Sequence, residues 1–371
     1  MKIAIQASDL DHERIDGTRV YILNMLRRFG KISSADEFLI CHKNEFNPEL
    51  APPEFPNYKI KKIKFPFFWT QTAFAWQVWK EKSDVLWMPM HNVPLIKRKS
   101  LKTVVTIHDM AFKYFPDHFP KKDLRRLNFL TDRAIWSADK IIAVSQATKN
   151  DVLKFYPQIK KEKIDVIYHG FDAEIFQKEI SREEIKKVIE NWKLKIGNYI
   201  LYVGAIQPRK NLRTLIQAFN LVKKEWPSLK LVLAGNRAWM WEKEMEEIEK
   251  SPFRDFIVLA ENLSFCDLAI IFRQAKTFVF PSLYEGFGIV VLEALASGVP
   301  VICAKNSCLP EVAGDAAEYF ESENVEELSA KIKNVLNDEN LRNKMIAKGK
   351  EQIKKFSWDK CAQETLDYIK N

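Results

Sequence analysis

The sequence is poor in cysteine and has no long apolar run. Its 371 residues include five cysteines, and no two of them form a Cys-x-x-Cys pair. Neither a disulfide framework nor a zinc site is therefore expected, and we expect buried free thiols instead. No run of 18 or more apolar residues occurs, so no segment should span a bilayer. Residues 1–5 resemble a strand and not a signal peptide, so we expect a cytoplasmic protein.

Several catalytic and nucleotide-binding motifs are also missing. There is no Gly-x-Gly-x-x-Gly fingerprint, no Gly-x-x-x-x-Gly-Lys-Ser/Thr phosphate loop, no His-Glu-x-x-His helix and no Gly-x-Ser-x-Gly elbow. Asp9-Leu10-Asp11 matches the Asp-x-Asp metal motif, but three residues match easily by chance, so no metal is predicted. The net charge of +9 suits phosphates, anionic lipid or nucleic acid. No nucleic-acid-binding signature accompanies it, so a nucleic-acid partner is not predicted.

What the sequence does contain is an alternation of short apolar runs and helical patterns, which is typical of parallel α/β sheets. We predict an N-terminal domain at 1–172, a linker at 173–195, a C-terminal domain at 196–356 and a final helix at 357–371 with Ser357 as its N-cap. The predicted strands are 2–7, 37–41, 84–88, 101–107, 140–144, 165–167, 199–203, 229–234, 256–259, 277–280 and 299–303.

The eleven glycines are scarce for a chain of this length, and most lie near the ends of predicted strands. In open α/β sheets the loops at these ends line the ligand crevice. A single glycine is explained by a tight turn, but together they favour a ligand that approaches the backbone closely. The glycines concerned are Gly17, Gly170, Gly204, Gly235, Gly286, Gly288, Gly298 and Gly314.

Two segments of the C-terminal half carry candidate functional residues. The turn at 281–288 contains Glu285 and precedes a helical run with Glu293; the start of such a helix is suited to phosphate. Glu293 could also be a buried helix residue paired with a nearby base. After the predicted strand that ends at Gly204, Arg209 and Lys210 are placed to neutralise a diphosphate, unless they are solvated surface cations. Asn211 is expected to cap the next helix.

A third segment, Thr106-Ile107-His108-Asp109, lies at a strand end in the N-terminal half. No nucleophile motif accompanies it, so His108 and Asp109 are interpreted as contacts to a polar ligand from the opposite side of a cleft.

Together these segments resemble glycosyltransferase family 4, and the resemblance covers nearly the whole chain. It implies the GT-B fold, in which two Rossmann-like domains have parallel sheets that face an interdomain cleft. It also implies metal-independent, retaining transfer of a hexose from a nucleotide sugar, with no cofactor. The matching segments are 17–21, 142–149, 166–172, 282–293, 298–302 and 309–314.

The same resemblance implies roles for individual residues. Arg209 and Lys210 would bind the leaving diphosphate, Glu285 would contact the transferred sugar, and His108 would contact the sugar or phosphate from the N-terminal domain. Donor-binding positions are expected at Gly17, Gly204, Gly235, Glu261, Leu263, Gly286, Phe287, Gly288 and Glu293, the last of which would hold the ribose hydroxyls.

Residues 106–112 and 115–117 most resemble family members that transfer mannose in bacterial surface polysaccharide synthesis. Glu261 stands where the family usually has glycine, and a carboxylate there can accept two hydrogen bonds from the edge of guanine. We therefore favour GDP-mannose over a UDP-sugar as donor, with a saccharide or lipid-linked acceptor. The alternative is that Glu261 points to solvent.

Residues 59–69 interleave cations with aromatics, which is typical of a segment that binds an anionic membrane surface. We expect peripheral attachment at the inner face of the membrane; the alternative is aromatic core residues beside a solvated lysine edge. Two other functions stay open: a GT-B nucleotide-sugar epimerase, and a silent sugar-nucleotide binder, although an inactive binder has no need of the charged residues above.

Overall fold

Two parallel β-sheets form the framework of the computed structural model, which describes all residues 1–371. The first sheet contains β1 (Lys2–Gln6), β2 (Glu37–His42), β3 (Tyr58–Lys62), β4 (Val85–Met88), β5 (Lys102–Ile107), β6 (Lys140–Ala143) and β7 (Ile164–Val166). The second contains β8 (Tyr199–Val203), β9 (Lys230–Ala234), β10 (Ile257–Ala260), β11 (Thr277–Phe280), β12 (Val301–Ala304) and β13 (Ala317–Phe320).

The strand order in both sheets is that of doubly wound α/β folds. It is β3-β2-β1-β4-β5-β6-β7 in the first sheet and β10-β9-β8-β11-β12-β13 in the second, with every neighbouring pair parallel. The order reverses between β1 and β4 and again between β8 and β11. Ligands of such sheets bind beyond the carboxyl ends of the strands at these reversals. The predicted fold of two Rossmann-like domains is confirmed.

Helices connect the strands, as parallel pairing requires. Those of the first half are α1 (Gly17–Ile32), α2 (Ala75–Lys80), α3 (Ala111–Tyr114), α4 (Lys121–Ser137) and α5 (Gln146–Phe155). Those of the second half are α6 (Ala173–Phe176), α7 (Arg182–Asn191), α8 (Leu212–Lys223), α9 (Glu242–Glu249), α10 (Phe265–Gln274), α11 (Ile289–Ala296), α12 (Leu309–Ala313), α13 (Val325–Asn337), α14 (Glu339–Gln352) and α15 (Trp358–Lys370). No helix is both long and apolar enough to cross a membrane.

The chain divides into two compact units. The first comprises Met1–Tyr114, Lys121–Gly170 and Ser357–Asn371, and the second comprises Phe115–Pro120 and Phe171–Phe356. Residues 173–195, which the sequence predicts to be a linker, form α6 and α7 within the second unit. There the Arg273 guanidinium of α10 donates a hydrogen bond to the Phe176 carbonyl of α6 at 3.0 Å, and α6 packs against α10.

The final helix, α15, packs on α1 within the first unit. Its N-cap is Ser357, as predicted, because the Ser357 hydroxyl accepts a hydrogen bond from the Lys360 amide at 3.1 Å. At its other end the Lys370 ammonium lies 2.7 Å from Asp36, which also binds the N-terminal amine at 2.9 Å. The two ends of the chain are thereby held by one carboxylate.

All eleven predicted strands are present, with ends within two residues, but the edge strands β3 and β13 were not predicted. Strand β3 occupies the start of the segment predicted to bind membrane. Its Lys59 and Lys61 are ion-paired with Glu81 at 2.9 and 2.6 Å, so they are edge lysines with a partner in the protein. The five cysteines are free thiols, as predicted, and four of them are buried; Cys266 is exposed.

Candidate functional site

Three polar side chains of the second unit meet at the carboxylate of Glu285. Its Oε1 accepts hydrogen bonds from the Lys210 ammonium and the Ser282 hydroxyl, both at 2.5 Å. The Arg209 Nη1 lies 3.2 Å from the same oxygen. Glu285 and Lys210 are each only 8% exposed. The structure therefore brings together three of the four predicted catalytic residues, and neither cation is a solvated surface group.

The sheet explains why these residues meet. Arg209 and Lys210 follow β8, Glu285 follows β11, and these neighbouring strands flank the reversal of strand order in the second sheet. The two loops are bonded to each other, because the Leu283 amide donates to the Arg209 carbonyl at 2.9 Å. The cluster thus occupies the position at which α/β sheets bind ligands.

Asn211 fixes the first of these loops, although not as predicted. It adopts a left-handed conformation with φ of 54°, and its side chain accepts no capping hydrogen bond from a backbone amide of α8. Instead its amide nitrogen donates to the carbonyls of Pro281 at 3.1 Å and Ser322 at 2.6 Å. Asn211 thus stands at the N-cap position of α8, but its side chain ties neighbouring loops together and does not cap the backbone of the helix.

Two opposing effects set the pKa of Glu285. Burial raises this pKa, but the positive charges of Lys210 and Arg209, with their hydrogen bonds, outweigh burial and hold it at about 2. The carboxylate is consequently ionised at neutral pH. Removing one partner of such a buried pair typically costs about 3–5 kcal/mol, because a buried charge is left uncompensated.

Two predicted glycines allow the backbone of adjacent loops to approach closely. Gly204 and Gly235 follow β8 and β9 and have φ of 152° and 148°. A Cβ on Gly235 would lie 2.1 Å from the Gly204 carbonyl oxygen, so no other residue fits there without a shift of the backbone. The loops after β8 and β9 therefore pack backbone against backbone beside Arg209 and Lys210.

The turn that carries Glu285 continues into α11 through Gly286, Phe287 and Gly288. Gly288 is the N-cap of α11 and has φ of 79°, which favours glycine. Phe287 is buried and packs edge-on against Phe356. The packed Phe287 and the left-handed Gly288 thus fix the backbone at the start of α11.

Glu293 lies one and a half turns into α11 and is partly buried. Burial raises its pKa to about 8, with a further contribution from the negative charge of Asp172. No base is paired with this carboxyl, which removes the alternative of a structural ion pair. Glu285 and Glu293 therefore belong to one turn and helix, but at pH 7 Glu285 is ionised and Glu293 is mainly neutral.

Glu261 and Leu263 lie beyond the end of β10, near the surface of the second unit. The Glu261 carboxylate is 3.2 Å from the Arg237 Nε, and both side chains are partly exposed. The Arg237 guanidinium also stacks over the Trp241 ring at 4.8 Å. Glu261 is therefore not a free solvated side chain but is held by a cation that the sequence did not reveal.

His108, the fourth predicted catalytic residue, lies in the first unit beyond β5. Its Nε2 is 2.8 Å from the Pro89 carbonyl oxygen, and its backbone amide donates to the His91 Nε2 at 3.2 Å. Burial lowers the pKa of His108. Aromatic rings surround it, with the Tyr21 ring at 5.2 Å and the His169 ring at 5.7 Å. The imidazole is thus held in a packed aromatic environment.

Gly17 is the exposed first residue of α1. Its neighbour Asp16 caps this helix by accepting a hydrogen bond from the Arg19 amide at 3.2 Å. In the Asp-x-Asp sequence nearby, Asp11 accepts hydrogen bonds from the amides of Lys43 at 2.8 Å and Asn44 at 2.7 Å. Asp11 therefore holds the loop after β2, and no group of three or more possible metal ligands is found in the chain.

One segment from the first half of the sequence, Phe115–Pro120, belongs to the second unit. The Trp239 indole donates a hydrogen bond to the His118 carbonyl at 2.8 Å, and its ring stacks on Phe119 at 5.7 Å. Burial lowers the pKa of His118, and the charge of Arg209 contributes to this shift. This segment is therefore close enough to sense one cation of the Glu285 cluster.

The sequence did not reveal several residues that position the site. The sequence places Ser282 only in a turn, and it does not show that the Ser282 hydroxyl donates a hydrogen bond to Glu285. Arg237, Trp239 and His118 carry no local pattern that marks them, because each acts on a residue far along the chain. Tyr21 lies in the first matching segment, but only the fold shows that it faces His108.

Two family models match the chain in succession. The model described as Glycosyltransferase Family 4 matches residues 15–175, and the model described as Glycosyl transferases group 1 matches residues 181–352. Together they cover most of both units.

Relatives of known name agree with these models. The chain is 30% identical over 300 residues to the O-antigen chain mannosyltransferase B of Escherichia coli, covering 80% of this chain and 76% of the relative. It is 29% identical over 246 residues to the O-antigen chain mannosyltransferase RfbU of Salmonella typhimurium, covering 66% of this chain and 63% of that protein.

Among solved structures, the chain is similar to Anabaena HepE in complex with UDP and glucose. The TM-score is 0.77 at 18% identity, and the superposition covers 100% of both chains. At this identity the likeness shows the fold, which is that of the GT-B enzymes.

Proposed function

The chain belongs to the glycosyltransferases of group 1 and family 4, and from this premise we propose that it transfers mannose from GDP-mannose, with retention of configuration, to a saccharide or lipid-linked acceptor. Glycosyl transfer itself follows from the family. The sugar, the base, the stereochemistry and the acceptor are the proposal. The single observation that carries it is the buried cluster of Lys210, Arg209 and Glu285 at the strand-order reversal of the second sheet.

The two cations supply the charge that a leaving diphosphate requires. When the bond between the anomeric carbon and the phosphate oxygen breaks, negative charge grows on the diphosphate. Lys210 and Arg209 already converge on one anionic oxygen and are largely buried, so little reorganisation is needed for them to stabilise a second anion. This arrangement supports catalysis without a divalent metal.

Glu285 is suited to an electrostatic role at the sugar. Burial raises its pKa, but the two cations outweigh burial, and the resulting value of about 2 leaves Glu285 without a proton to donate at neutral pH. A carboxylate can instead stabilise the positive charge that develops at the anomeric carbon. In a retaining reaction the new glycosidic bond lies on the same face of the sugar as the bond that is broken.

Three observations support mannose and guanine. The two relatives named above are mannosyltransferases of O-antigen chains. The segment Phe115–Pro120, part of the mannosyltransferase-like stretch, lies within the second unit beside Trp239. Glu261 is held by Arg237 through one carboxylate oxygen, Oε1. We propose that the second oxygen is available to the N1–H and N2–H edge of guanine.

Incubation with radiolabelled GDP-mannose, GDP-glucose, UDP-glucose and UDP-galactose tests the proposal, with saccharide and lipid-linked acceptors from a bacterial O-antigen system. We expect the label of GDP-mannose to appear in the acceptor product and in no other product. A new nucleotide sugar formed without acceptor would identify an epimerase. Donor binding without turnover on any acceptor would identify a silent binder, and transfer from UDP-sugars alone would overturn the choice of donor.

A further inference from the structure

One surface of the first unit exposes an unusual number of large apolar side chains. Thirteen such side chains are exposed in the whole chain, and seven of them lie between residues 65 and 96. Concentrated exposure of this kind marks interaction surfaces, whereas scattered exposed apolar residues do not. The seven are Phe65, Phe67, Phe68, Trp76, Trp79, Leu95 and Ile96.

The segments that carry these seven residues are tied to one another, and we call the seven together the aromatic face. The Gln71 side chain accepts a hydrogen bond from the Leu95 amide at 2.7 Å and donates to the Val93 carbonyl at 3.1 Å. The Thr72 hydroxyl donates to the Phe68 carbonyl at 3.1 Å. Trp79 and Ile96 line the same shallow pocket. The loops 64–68 and 92–96 are therefore both tied to the helical segment between them.

At Phe67 and Phe68 the aromatic face combines exposed rings with an unfavourable backbone conformation. Phe68 has φ of 45° and is 81% exposed, and Phe67 is 71% exposed. A left-handed backbone conformation is unfavourable for a bulky residue and is found where the surroundings enforce it, often at functional sites. The next residue, Trp69, is buried and its indole donates to the Ile63 carbonyl at 2.7 Å. Trp69 thus anchors the backbone directly after the two exposed phenylalanines.

The segment of the sequence that carries the aromatic face is strongly basic. Residues 59–102 contain ten lysines and arginines and two acidic residues, although the whole chain has a net charge of only +9. Glu81 neutralises part of this charge through Lys59 and Lys61. The exposed lysines without an ion pair are Lys64, Lys80, Lys82 and Lys99.

From this geometry we propose that the aromatic face docks the enzyme on an anionic membrane surface. Aromatic side chains insert at the boundary between headgroups and acyl chains, while the surrounding lysines attract the anionic headgroups. A second copy of this chain is a poor occupant, because a symmetric contact would bring two faces of the same positive charge together. Membrane docking deepens the proposed function. It rests on that function in one respect: a lipid-linked acceptor would lie at such a surface.

Sedimentation with vesicles tests the docking without donor or acceptor. Vesicles of phosphatidylglycerol mixed with phosphatidylcholine are compared with phosphatidylcholine alone, at low and moderate salt. We expect binding to the anionic vesicles that weakens with salt. The double variants Phe67→Ser/Phe68→Ser and Lys80→Glu/Lys99→Glu should each bind at least about tenfold more weakly.

Matched controls come from the second unit. Ile196 and Met240 are also exposed apolar residues, and Lys344 and Lys348 are also exposed lysines. Ile196→Ser/Met240→Ser and Lys344→Glu/Lys348→Glu should bind like the wild type. If the controls weaken binding as much as the face variants, or if the wild type does not bind anionic vesicles, the proposal is wrong. A concentration-dependent dimer lost in Phe67→Ser/Phe68→Ser, without vesicle binding, would assign the face to self-association.

Transfer to a water-soluble acceptor, measured with the same proteins, separates the two proposals. The face variants should retain wild-type transfer to it. Absence of transfer in every protein would count against the proposed function, while the vesicle result would still decide the docking.

Discussion

Glu285 and Glu293 show how the surroundings of a residue decide its charge. Burial raises the pKa of both carboxyls. Two cations reverse this effect at Glu285 and leave its pKa at about 2, whereas at Glu293 no cation opposes burial and Asp172 adds to it, so its pKa rises to about 8. The sequence places both glutamates in one motif, but only the fold shows which of them has cations beside it.

The cations beside Glu285 should be necessary for turnover. Arg209→Ala and Lys210→Ala should each lower kcat by about 100- to 1000-fold, by analogy with removal of one donor to a developing oxyanion, which costs about 3–4 kcal/mol. The neighbouring Arg213 is exposed and provides the control, Arg213→Ala, which should behave like the wild type. Thermal midpoints are measured in parallel, because Lys210→Ala also leaves Glu285 with fewer partners. Variants that fold and turn over normally would remove the cluster from the mechanism.

Glu293 should release a proton when a nucleotide binds. The free protein holds this carboxyl mainly protonated at pH 7, because its pKa is about 8. Ribose hydroxyls that donate hydrogen bonds to it favour the ionised form and lower the pKa, so binding near pH 7 should release up to about one proton. Calorimetric titration with GDP in two buffers of different ionisation enthalpy measures this release. Glu293→Gln should remove it; identical enthalpies for the wild type in both buffers would contradict the proposed ribose contact.

Glu261 should set the preference for guanine. We expect the wild type to bind GDP more tightly than UDP, because a site that accepts the two N–H donors of guanine rejects a base without them. The difference in affinity should shrink in Glu261→Gly. Arg237→Ala tests whether the ion pair positions the carboxylate. A GDP preference that persists in Glu261→Gly would leave Glu261 without a role in recognition, and a UDP preference in the wild type would overturn the mannose donor.

At the scale of elements, the central strands could be predicted, whereas two of the four edge strands, β3 and β13, could not. Interior strands such as β8 and β11 are continuous apolar runs, because both faces of a parallel sheet are covered. Strands β3 and β13 lie at sheet edges and mix charged with apolar residues, so a search for apolar runs passes over them. The contacts of Asn211 and of Phe115–Pro120 could not be predicted for another reason. Their partners are distant along the chain.

One glycine links two elements of the first unit and allows a direct test of their packing. A Cβ on Gly170 would lie 2.1 Å from the backbone nitrogen of Trp358, at the start of α15. Gly170→Ala should therefore destabilise the protein by about 1–3 kcal/mol or more, as overpacking does. Gly197→Ala is the control, because open space surrounds that position and only its φ of 67° is unfavourable. Equal denaturant midpoints for the two variants would show that α15 does not depend on this contact.

At the scale of the whole molecule, the sequence predicted two Rossmann-like domains and most of the charged cluster. It could do so because the order of motifs along the chain indicates the order of strands and of the loops that follow them. It pointed to the cations and aromatics of residues 59–69, but it did not predict that Trp76 and Trp79 are exposed or which lysines are ion-paired. Those depend on ion pairs such as that of Glu81 and on strands that carry no clear pattern. The unpaired lysines and the aromatic face emerge only when partners are assigned.

The central claim is that this chain transfers mannose with retention and without a divalent metal. The most direct test is nuclear magnetic resonance analysis of the product formed from GDP-α-mannose and acceptor in excess EDTA. The account predicts an α-linked mannosyl product that forms at the same rate with and without the chelator. A β-linked product, or turnover that stops in EDTA and returns when magnesium or manganese is added, would contradict it.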